Sequence, residues 1–167
     1  MVVTLRLFTI GFTRKSAAVF FNTLRGAGVR HLVDIRLRNT SQMAGFTKRD
    51  DLDFFVRLIL GADYTHLPLL APSEGILQAY MEDHDWSRYE HNFQTLLRVR
   101  QVGAALSASD FQDACFLCSE PTADKCHRRL VAEHLRDVWS IVVANVGTNV
   151  GTNVGPNVGL KVEIRHL

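Results

Sequence analysis

The chain has 167 residues, 47% of them hydrophobic and 22% charged, with a formal net charge of +2 at pH 7. This length favours one domain with its own core. So small a net charge argues against a strongly basic nucleic-acid binder, although a local basic patch would be compatible with it. Apolar residues alternate with others over residues 1–10 instead of forming the apolar block of a signal peptide. No apolar run is long enough to cross a bilayer. Three cysteines, an odd number, cannot complete a disulfide framework. We therefore expect a cytoplasmic protein with free thiols and no membrane partner.

Strands and helices alternate along the sequence, as judged by short β-branched or aromatic stretches and by apolar residues at helical spacing. The predicted elements, in chain order, are a strand over 3–10, a helix over 17–26, a strand over 31–35, a helix over 49–60, a strand over 64–67, a short helix over 76–82, a helical region over 86–106, a strand over 114–117, a helix over 125–139, and strand segments over 140–144 and 162–166. Ser16 and Asp124 are the predicted N-caps of the helices that follow them. The alternation predicts an α/β fold in one domain over 1–167, with a mostly parallel sheet and flanking helices in a Rossmann-like three-layer arrangement.

Residues 145–160 break this pattern, because they contain four consecutive Asn-Val-Gly units at a spacing of four residues. That period matches neither a helix nor a strand, and asparagine and glycine favour turns and loops. We interpret the segment as a low-complexity surface loop inserted before the last strand. A binding loop or a partner contact is the alternative, for which the sequence gives no support.

Polar residues gather at the carboxyl ends of the predicted strands. Ligands of parallel α/β sheets bind outside those ends. Four segments are therefore expected to converge at one edge of the sheet, namely residues 11–14, 34–38, 66–68 and 118–128.

Asp34, Arg36, Gly11 and His66 are predicted ligand contacts in the first three segments. Asp34 and Arg36 have the same parity on their strand, so they can point to the same side and hold a ligand through charge-assisted hydrogen bonds. A structural ion pair is the alternative. Gly11 and His66 are expected in the wall of the pocket, although a lone histidine of this kind is commonly a structural residue.

The fourth segment, from Cys118 to Arg128, is the densest in chemically active residues. The predicted helix start places Cys126 and His127 in the first helical turn. There the helix dipole and Arg128 would lower the pKa of Cys126, and free backbone N–H groups would suit a phosphate or a carboxylate. Cys126 would be a nucleophile or an anion-contacting thiol, and Glu120 or His127 would transfer protons. The alternative is that Cys126 is a small buried residue that packs against the sheet.

Cys115, Cys118, Cys126 and His127 also suggest a metal site, because the spacing of the first two matches many zinc sites. Odd spacing on one strand, however, places Cys115 and Cys118 on opposite faces, so they could share a metal only if the strand ended before Cys118. We therefore predict Cys115 as a core residue and no metal ligands. Cys118 is a predicted ligand contact and, with Cys126, the closer candidate for a functional or redox pair.

Five ordered motifs resemble those of the DUF488 family, and the end of the chain resembles the last strand of that family. They are Thr9-Ile10-Gly11, Val33-Asp34-Ile35-Arg36, Tyr64-Thr65-His66-Leu67-Pro68, Cys118-Ser119-Glu120 and Cys126-His127-Arg128, followed by the terminal Arg165-His166-Leu167. The resemblance implies the fold but no activity, since the function of the family is unknown. Phe12-Thr13 stands where the family usually has a histidine and a serine, and the loops after Arg36 and Pro68 also differ from the family pattern.

These residues together predict a pocket for a small anionic or nucleotide-like ligand, and the chain is a candidate enzyme that would use cysteine, histidine and arginine. Arg36 and Arg128 would hold the anion. One alternative is a nucleic-acid-associated accessory protein, which Arg14 and Arg38 beside those two arginines would favour. The other alternative is a metal-binding module built on the cysteines and His127. The sequence does not identify a cofactor.

Overall fold

The computed structural model describes residues 2–40, 44–145 and 159–167. Within them, five strands form one sheet in the order β3-β2-β4-β1-β5, and every neighbouring pair is parallel. The strands are β1 (Val2–Gly11), β2 (His31–Asp34), β3 (Asp63–His66), β4 (Ala114–Cys118) and β5 (Gly159–His166). The predicted α/β fold with a parallel sheet is therefore confirmed.

Helices connect the strands and cover both faces of the sheet. They are α1 (Ala17–Ala27), α2 (Arg49–Phe55), which continues as a π-helical turn over Val56–Leu60, α3 (Glu74–Asp83), α4 (Trp86–Val99), α5 (Val102–Ala105) and α6 (His127–Asn145). The Ser16 side chain accepts a hydrogen bond from the backbone N–H of Val19, as predicted for the cap of α1. None of the helices within the described residues is both long and apolar enough to span a bilayer.

Three predicted boundaries are wrong. Residues 140–144 form the last turns of α6 and not a strand, because their β-branched residues follow an established helix without a break. The helical region predicted over 86–106 is two helices, since the backbone turns left-handed at Gln101, where φ is 50°. The last long helix begins at His127, so Asp124 lies in a turn before it and is not its N-cap. The predicted loop over 145–160 lies outside the described residues, apart from its ends in α6 and β5.

Alternating strand residues divide the core into two layers. Val33, Ile35 and Phe116 pack in the layer that contains α4 and α6. Leu32 and Cys115 pack in the other layer, with α1 and α2. The strand β4 extends through Cys118, and side chains alternate across a strand. Cys115 and Cys118 therefore face opposite layers, as predicted.

The register of the strands places the predicted segments at one edge. Gly11 pairs with Cys118, and Asp34 pairs with both Leu117 and His66. The carboxyl ends of β1, β2, β3 and β4 therefore lie side by side, which confirms their predicted convergence.

Candidate functional site

A cleft of about 840 Å³ opens at the carboxyl edge of the sheet. Its walls come from the segment after β2, from α3, from the start of α4 and from the turn that precedes α6. Cys118, Cys126 and His127 form its floor, and all three are buried. We refer to these three residues as the thiol–imidazole cluster.

The atoms of the thiol–imidazole cluster lie close together. The two sulfur atoms and a ring nitrogen of His127 all fall within 4.8 Å of one another, and Cys118 Sγ is 3.4 Å from His127 Nδ1. Cys118 is placed by the end of β4, and Cys126 and His127 by the start of α6. The positive end of the helix dipole therefore lies beside both thiols.

The ring of His127 has a fixed orientation. Its Nε2 lies 3.0 Å from the backbone oxygen of Ile35, and since a carbonyl only accepts, Nε2 carries the hydrogen. In the neutral imidazole, Nδ1 is then the nitrogen with a free lone pair, and it faces the Cys118 thiol. The ring edge also packs against Phe93, with 5.7 Å between ring centroids.

The two thiols share one hydrogen bond, which shifts their pKa values in opposite directions. The hydrogen bond from Cys126 lowers the pKa of Cys118. Burial opposes this lowering, but the backbone N–H groups of Ser119 and Glu120 and the charge of Arg128 add to it. Donating that hydrogen bond, together with burial, raises the pKa of Cys126 far above its usual range. Cys126 precedes α6 and donates to Cys118, so the surroundings favour the thiolate of Cys118 over that of Cys126.

Arg128 contacts the thiol–imidazole cluster on the side away from the cleft. Its Nη1 donates to the backbone oxygen of Glu120 at 2.6 Å and to Cys126 Sγ at 3.4 Å, and the side chain is only 1% exposed. Gly11 makes this approach possible, because a Cβ there would lie 1.6 Å from the Glu120 oxygen. Gly11 and Arg128 therefore position the floor of the cleft and do not line it.

Asp34 and Arg36 form a buried ion pair in the layer of α1 and α2. Arg36 donates to both carboxylate oxygens, with Nε 2.8 Å from Oδ1 and Nη2 2.6 Å from Oδ2. Asn39 and Tyr64 donate to Oδ2 as well, at 3.0 and 2.7 Å. The Arg36 guanidinium also lies over the ring of Phe12. Arg36 reaches the wall of the cleft, whereas Asp34 does not line it.

Three aromatic side chains form another wall of the cleft, which we call the aromatic wall. Trp86 stacks on Tyr89 with 5.0 Å between ring centroids, and Tyr80 packs against both rings. Tyr89 is buried, so its pKa is raised by burial and by the neighbouring Cys118 and Cys126 thiols. Trp86 and Tyr89 are nearly parallel, whereas Tyr80 is steeply inclined to both rings, and the inner end of the wall reaches the thiol–imidazole cluster.

Charged residues of both signs surround the mouth of the cleft. Arg38 donates to both carboxylate oxygens of Glu74, and the two side chains are 74% and 63% exposed. Lys125 lines the mouth and has no ion pair with any other residue that the structure describes. Glu120 is exposed on the same rim.

The structure separates the predicted site residues into two groups. Arg36, Cys118, Glu120, Cys126 and His127 line the cleft. Gly11, Asp34, His66 and Arg128 lie at the same edge of the sheet but behind the lining, and His66 donates from Nε2 to the backbone oxygen of Arg36 at 2.8 Å.

Sequence reasoning missed the apolar residues that α3 contributes. This helix supplies Leu77 and Met81 to the cleft, beside Tyr80 of the aromatic wall. The available signal was its position, since α3 follows the loop after β3 and so begins at the carboxyl edge of the sheet.

Two of the four arginines on which the nucleic-acid alternative rests are buried. Arg36 and Arg128 are 3% and 1% exposed, so a phosphate backbone cannot reach them, and Arg38 pairs with Glu74. Within the described residues, Arg14 and Arg38 are the members of the predicted basic rim that are exposed.

Comparisons with known proteins identify the family of the chain. The model of the family described as "Domain of unknown function DUF488" matches residues 16–135, which include the aromatic wall and the thiol–imidazole cluster. No curated protein and no solved structure matches the chain. Since the match covers well over half of the sequence, this chain belongs to the DUF488 family.

Proposed function

We propose that this chain is an enzyme for a small anionic, nucleotide-like ligand, with the thiol–imidazole cluster as its reacting group. The observation that carries the proposal is the position of the cluster. Two thiols and an imidazole, all buried, lie at the floor of a cleft of about 840 Å³. Ligand pockets in proteins have this size and are lined in the same way, mainly by apolar and aromatic groups with a few polar groups at one point.

The aromatic wall supports a planar group in the ligand. A flat ring can lie against the Trp86–Tyr89 stack, and stacking on aromatic side chains accepts any nucleobase, because every base has a π-face. Leu77 and Met81 add apolar contacts on the side of α3. The wall therefore favours an aromatic ligand over a small aliphatic one.

Two features support a negative charge in the ligand. Lys125 stands at the mouth without an ion pair among the described residues, and α6 begins at the floor. A lysine and the start of a long helix both attract phosphate or carboxylate groups. Arg36, in contrast, is occupied by Asp34, so we do not assign it the role of anion holder that the sequence suggested.

The cluster supports a chemical role beyond binding. His127 Nδ1 faces the Cys118 sulfur at 3.4 Å with its lone pair, while Nε2 is held by Ile35. Activated nucleophiles have this arrangement, in which a basic nitrogen lies beside the thiol and a third group orients that nitrogen. We therefore place the reacting atom of the ligand next to Cys118, and not next to Cys126 as the sequence indicated.

The test is calorimetric titration of the full chain with nucleosides, nucleoside monophosphates and inorganic phosphate. We expect a nucleoside monophosphate to bind more tightly than either part alone. Trp86→Ala should weaken this binding between about 5-fold and 150-fold, because stacking on an aromatic side chain is worth about 1–3 kcal/mol per base. Lys125→Gln should weaken the phosphorylated ligand more than the nucleoside.

Lys161→Gln is the matched control, because Lys161 is exposed on β5 and pairs with Glu163 away from the cleft. It should leave the affinity unchanged. Failure of the wild-type chain to bind any of these ligands, or equal binding by wild type and both cleft variants, would overturn the proposal.

A further inference from the structure

We propose that Cys118, Cys126 and His127 hold a zinc ion, or a divalent ion with the same ligand preference, with a fourth coordination position open to the cleft. The inference deepens the proposed function by assigning the form in which the cluster works: with zinc bound, Cys118 and His127 act as ligands and not as nucleophile and base, and the reacting atom of the ligand meets the open position of the ion. It rests on the proposed function only for the use of the fourth position.

Distances within the cluster suit zinc. Tetrahedral zinc, with Zn–S of about 2.3 Å and Zn–N of about 2.0–2.1 Å, brings a sulfur and a nitrogen ligand to about 3.6 Å from each other. Cys118 Sγ and His127 Nδ1 are already 3.4 Å apart, and Cys126 Sγ lies within 4.8 Å of both atoms. Small rotations of side chains would complete the arrangement without moving the backbone.

The second nitrogen of His127 makes the contact expected of a metal ligand. Ligating histidines donate the other ring N–H to a carbonyl or a carboxylate, which fixes the ring and leaves one lone pair for the metal. His127 does this with the Ile35 oxygen at 3.0 Å. Its free nitrogen therefore points at the two sulfur atoms and at the space between them.

Charge and ligand type narrow the choice of metal. Two thiolates balance the charge of a divalent ion, so the filled site would carry no net charge in a buried position. Arg128 Nη1 and the backbone N–H groups of Ser119 and Glu120 already donate to the sulfur atoms, as donors around metal thiolates do. Sulfur and imidazole ligands favour zinc and exclude magnesium and calcium, which take oxygen ligands.

The cleft explains why three protein ligands suffice. Structural zinc sites are closed by four protein ligands, whereas catalytic sites have three and keep one position for water or substrate. Cys118, Cys126 and His127 all line the cleft, and Cys115 is excluded because it faces the opposite layer. When bound, such an ion polarises a carbonyl or phosphoryl oxygen or activates a water molecule.

The first experiment is a titration of the reduced, chelator-treated full chain with Co²⁺ and then with Zn²⁺. We expect one Co²⁺ per chain, with the thiolate charge-transfer bands and the strong visible absorption of tetrahedral cobalt, and displacement by Zn²⁺. Folded, reduced protein that takes up neither ion would overturn the inference.

Alanine variants of the three cysteines locate the site. Cys118→Ala and Cys126→Ala should weaken zinc binding by more than about 100-fold, since loss of a group that only hydrogen-bonds to a metal ligand already costs about 10–100-fold. Cys115→Ala is the matched control, because it removes the same thiol from the other layer and should leave zinc binding unchanged. Equal zinc affinity in all three variants would overturn the assignment.

A second measurement needs only the wild-type chain, in case a variant does not fold. Zinc should protect Cys118 and Cys126 from alkylation while leaving Cys115 as slow as before, with the modified residues identified by peptide mass mapping. Unchanged alkylation of Cys118 and Cys126 would overturn the inference.

The two proposals fail in different ways. Zinc binding by a chain that binds no nucleotide-like ligand would support this inference and overturn the proposed function. Nucleotide binding by a chain that takes up no metal would support the proposed function and overturn this inference.

Discussion

The Asp34–Arg36 pair and the thiol–imidazole cluster are both buried and polar, and both lie at the carboxyl edge of the sheet, but they differ in how fully their atoms are used. Both oxygens of Asp34 accept hydrogen bonds, from Arg36, Asn39 and Tyr64. The cluster, in contrast, opens into a cleft and keeps sulfur and nitrogen lone pairs within 4.8 Å of one another.

The comparison separates two uses of buried polar groups. The Asp34 carboxylate, with both oxygens hydrogen-bonded, has no capacity left for a ligand, so its contribution is to the stability and the specificity of the fold. A cluster whose sulfur and nitrogen lone pairs lie beside a cleft contributes less to stability, but its atoms can contact a ligand. Substitutions on the two sides should therefore affect different quantities.

The largest expected effect is on stability, from Asp34→Ala. This change leaves the Arg36 guanidinium buried without its partner, and breaking a buried pair in this way costs about 3–5 kcal/mol. Urea unfolding of wild type and variant, followed by circular dichroism, measures the difference.

Two controls sharpen this result. Asp53→Ala removes a carboxylate that pairs with Arg57 on the surface of α2, and such exposed pairs contribute about 0.3–0.5 kcal/mol. Cys118→Ala removes a hydrogen-bond partner of both His127 and Cys126, and leaving such buried groups without a partner costs about 1–3 kcal/mol. A loss for Asp34→Ala no larger than for these two variants would contradict the structural role of the pair.

The next effect comes from Gly11→Ala, which tests the support behind the cluster. A Cβ at Gly11 would lie 1.6 Å from the Glu120 oxygen and 2.8 Å from Arg128 Nη1, so the chain after β4 must move. Overpacking of this kind costs about 1–3 kcal/mol. Thermal unfolding measures the loss, and weaker cobalt binding by the folded variant would show that the displacement reaches the cluster.

Gly26→Ala provides the matched control within α1. A Cβ at Gly26 has no heavy atom of a neighbour within 4 Å, and alanine in a helix is about 0.5–1 kcal/mol more favourable than glycine. Gly26→Ala should therefore raise stability while Gly11→Ala lowers it. The same sign for both variants would contradict the close approach at Gly11.

The fold could be predicted because it depends on local patterns. Short apolar stretches that alternate with segments of helical periodicity were enough to predict the parallel sheet. The rule that ligands bind at the carboxyl ends of parallel strands was enough to predict that residues 11, 34, 66 and 118 lie at one edge. The prediction failed at residues 140–144, where local β-branched residues suggested a strand but the preceding helix continued. The strand propensity of these residues is outweighed by the low free-energy cost of extending a helix that has already formed.

The site could be predicted only in part, because its details depend on which layer each side chain faces. Parity placed Asp34 and Arg36 together, but it could not place them in the layer opposite to His127. Likewise, the identity of the more acidic thiol depends on the start of α6 at His127 and on the hydrogen bond between the two sulfur atoms. Neither is encoded in the spacing of the cysteines.

The smallest expected effect is on the dependence of stability on pH, and it tests the charge of the Asp34–Arg36 pair directly. Burial raises the pKa of Asp34, but the hydrogen bond and charge of Arg36, with the hydrogen bonds from Asn39 and Tyr64, outweigh burial and hold the pKa below its ordinary value of 3.8. The carboxylate therefore stabilises the fold fully above that value, and the stabilisation is lost as pH falls through the lowered pKa, because the unfolded chain then binds the proton first. Asp34→Asn removes this proton-binding site, so its unfolding free energy, measured by urea titration between neutral and acidic pH, should fall less steeply than that of wild type. Parallel curves for the two proteins would mean that folding does not lower the pKa of Asp34, and the contrast between an ion pair on one face of the sheet and the thiol–imidazole cluster on the other would no longer hold.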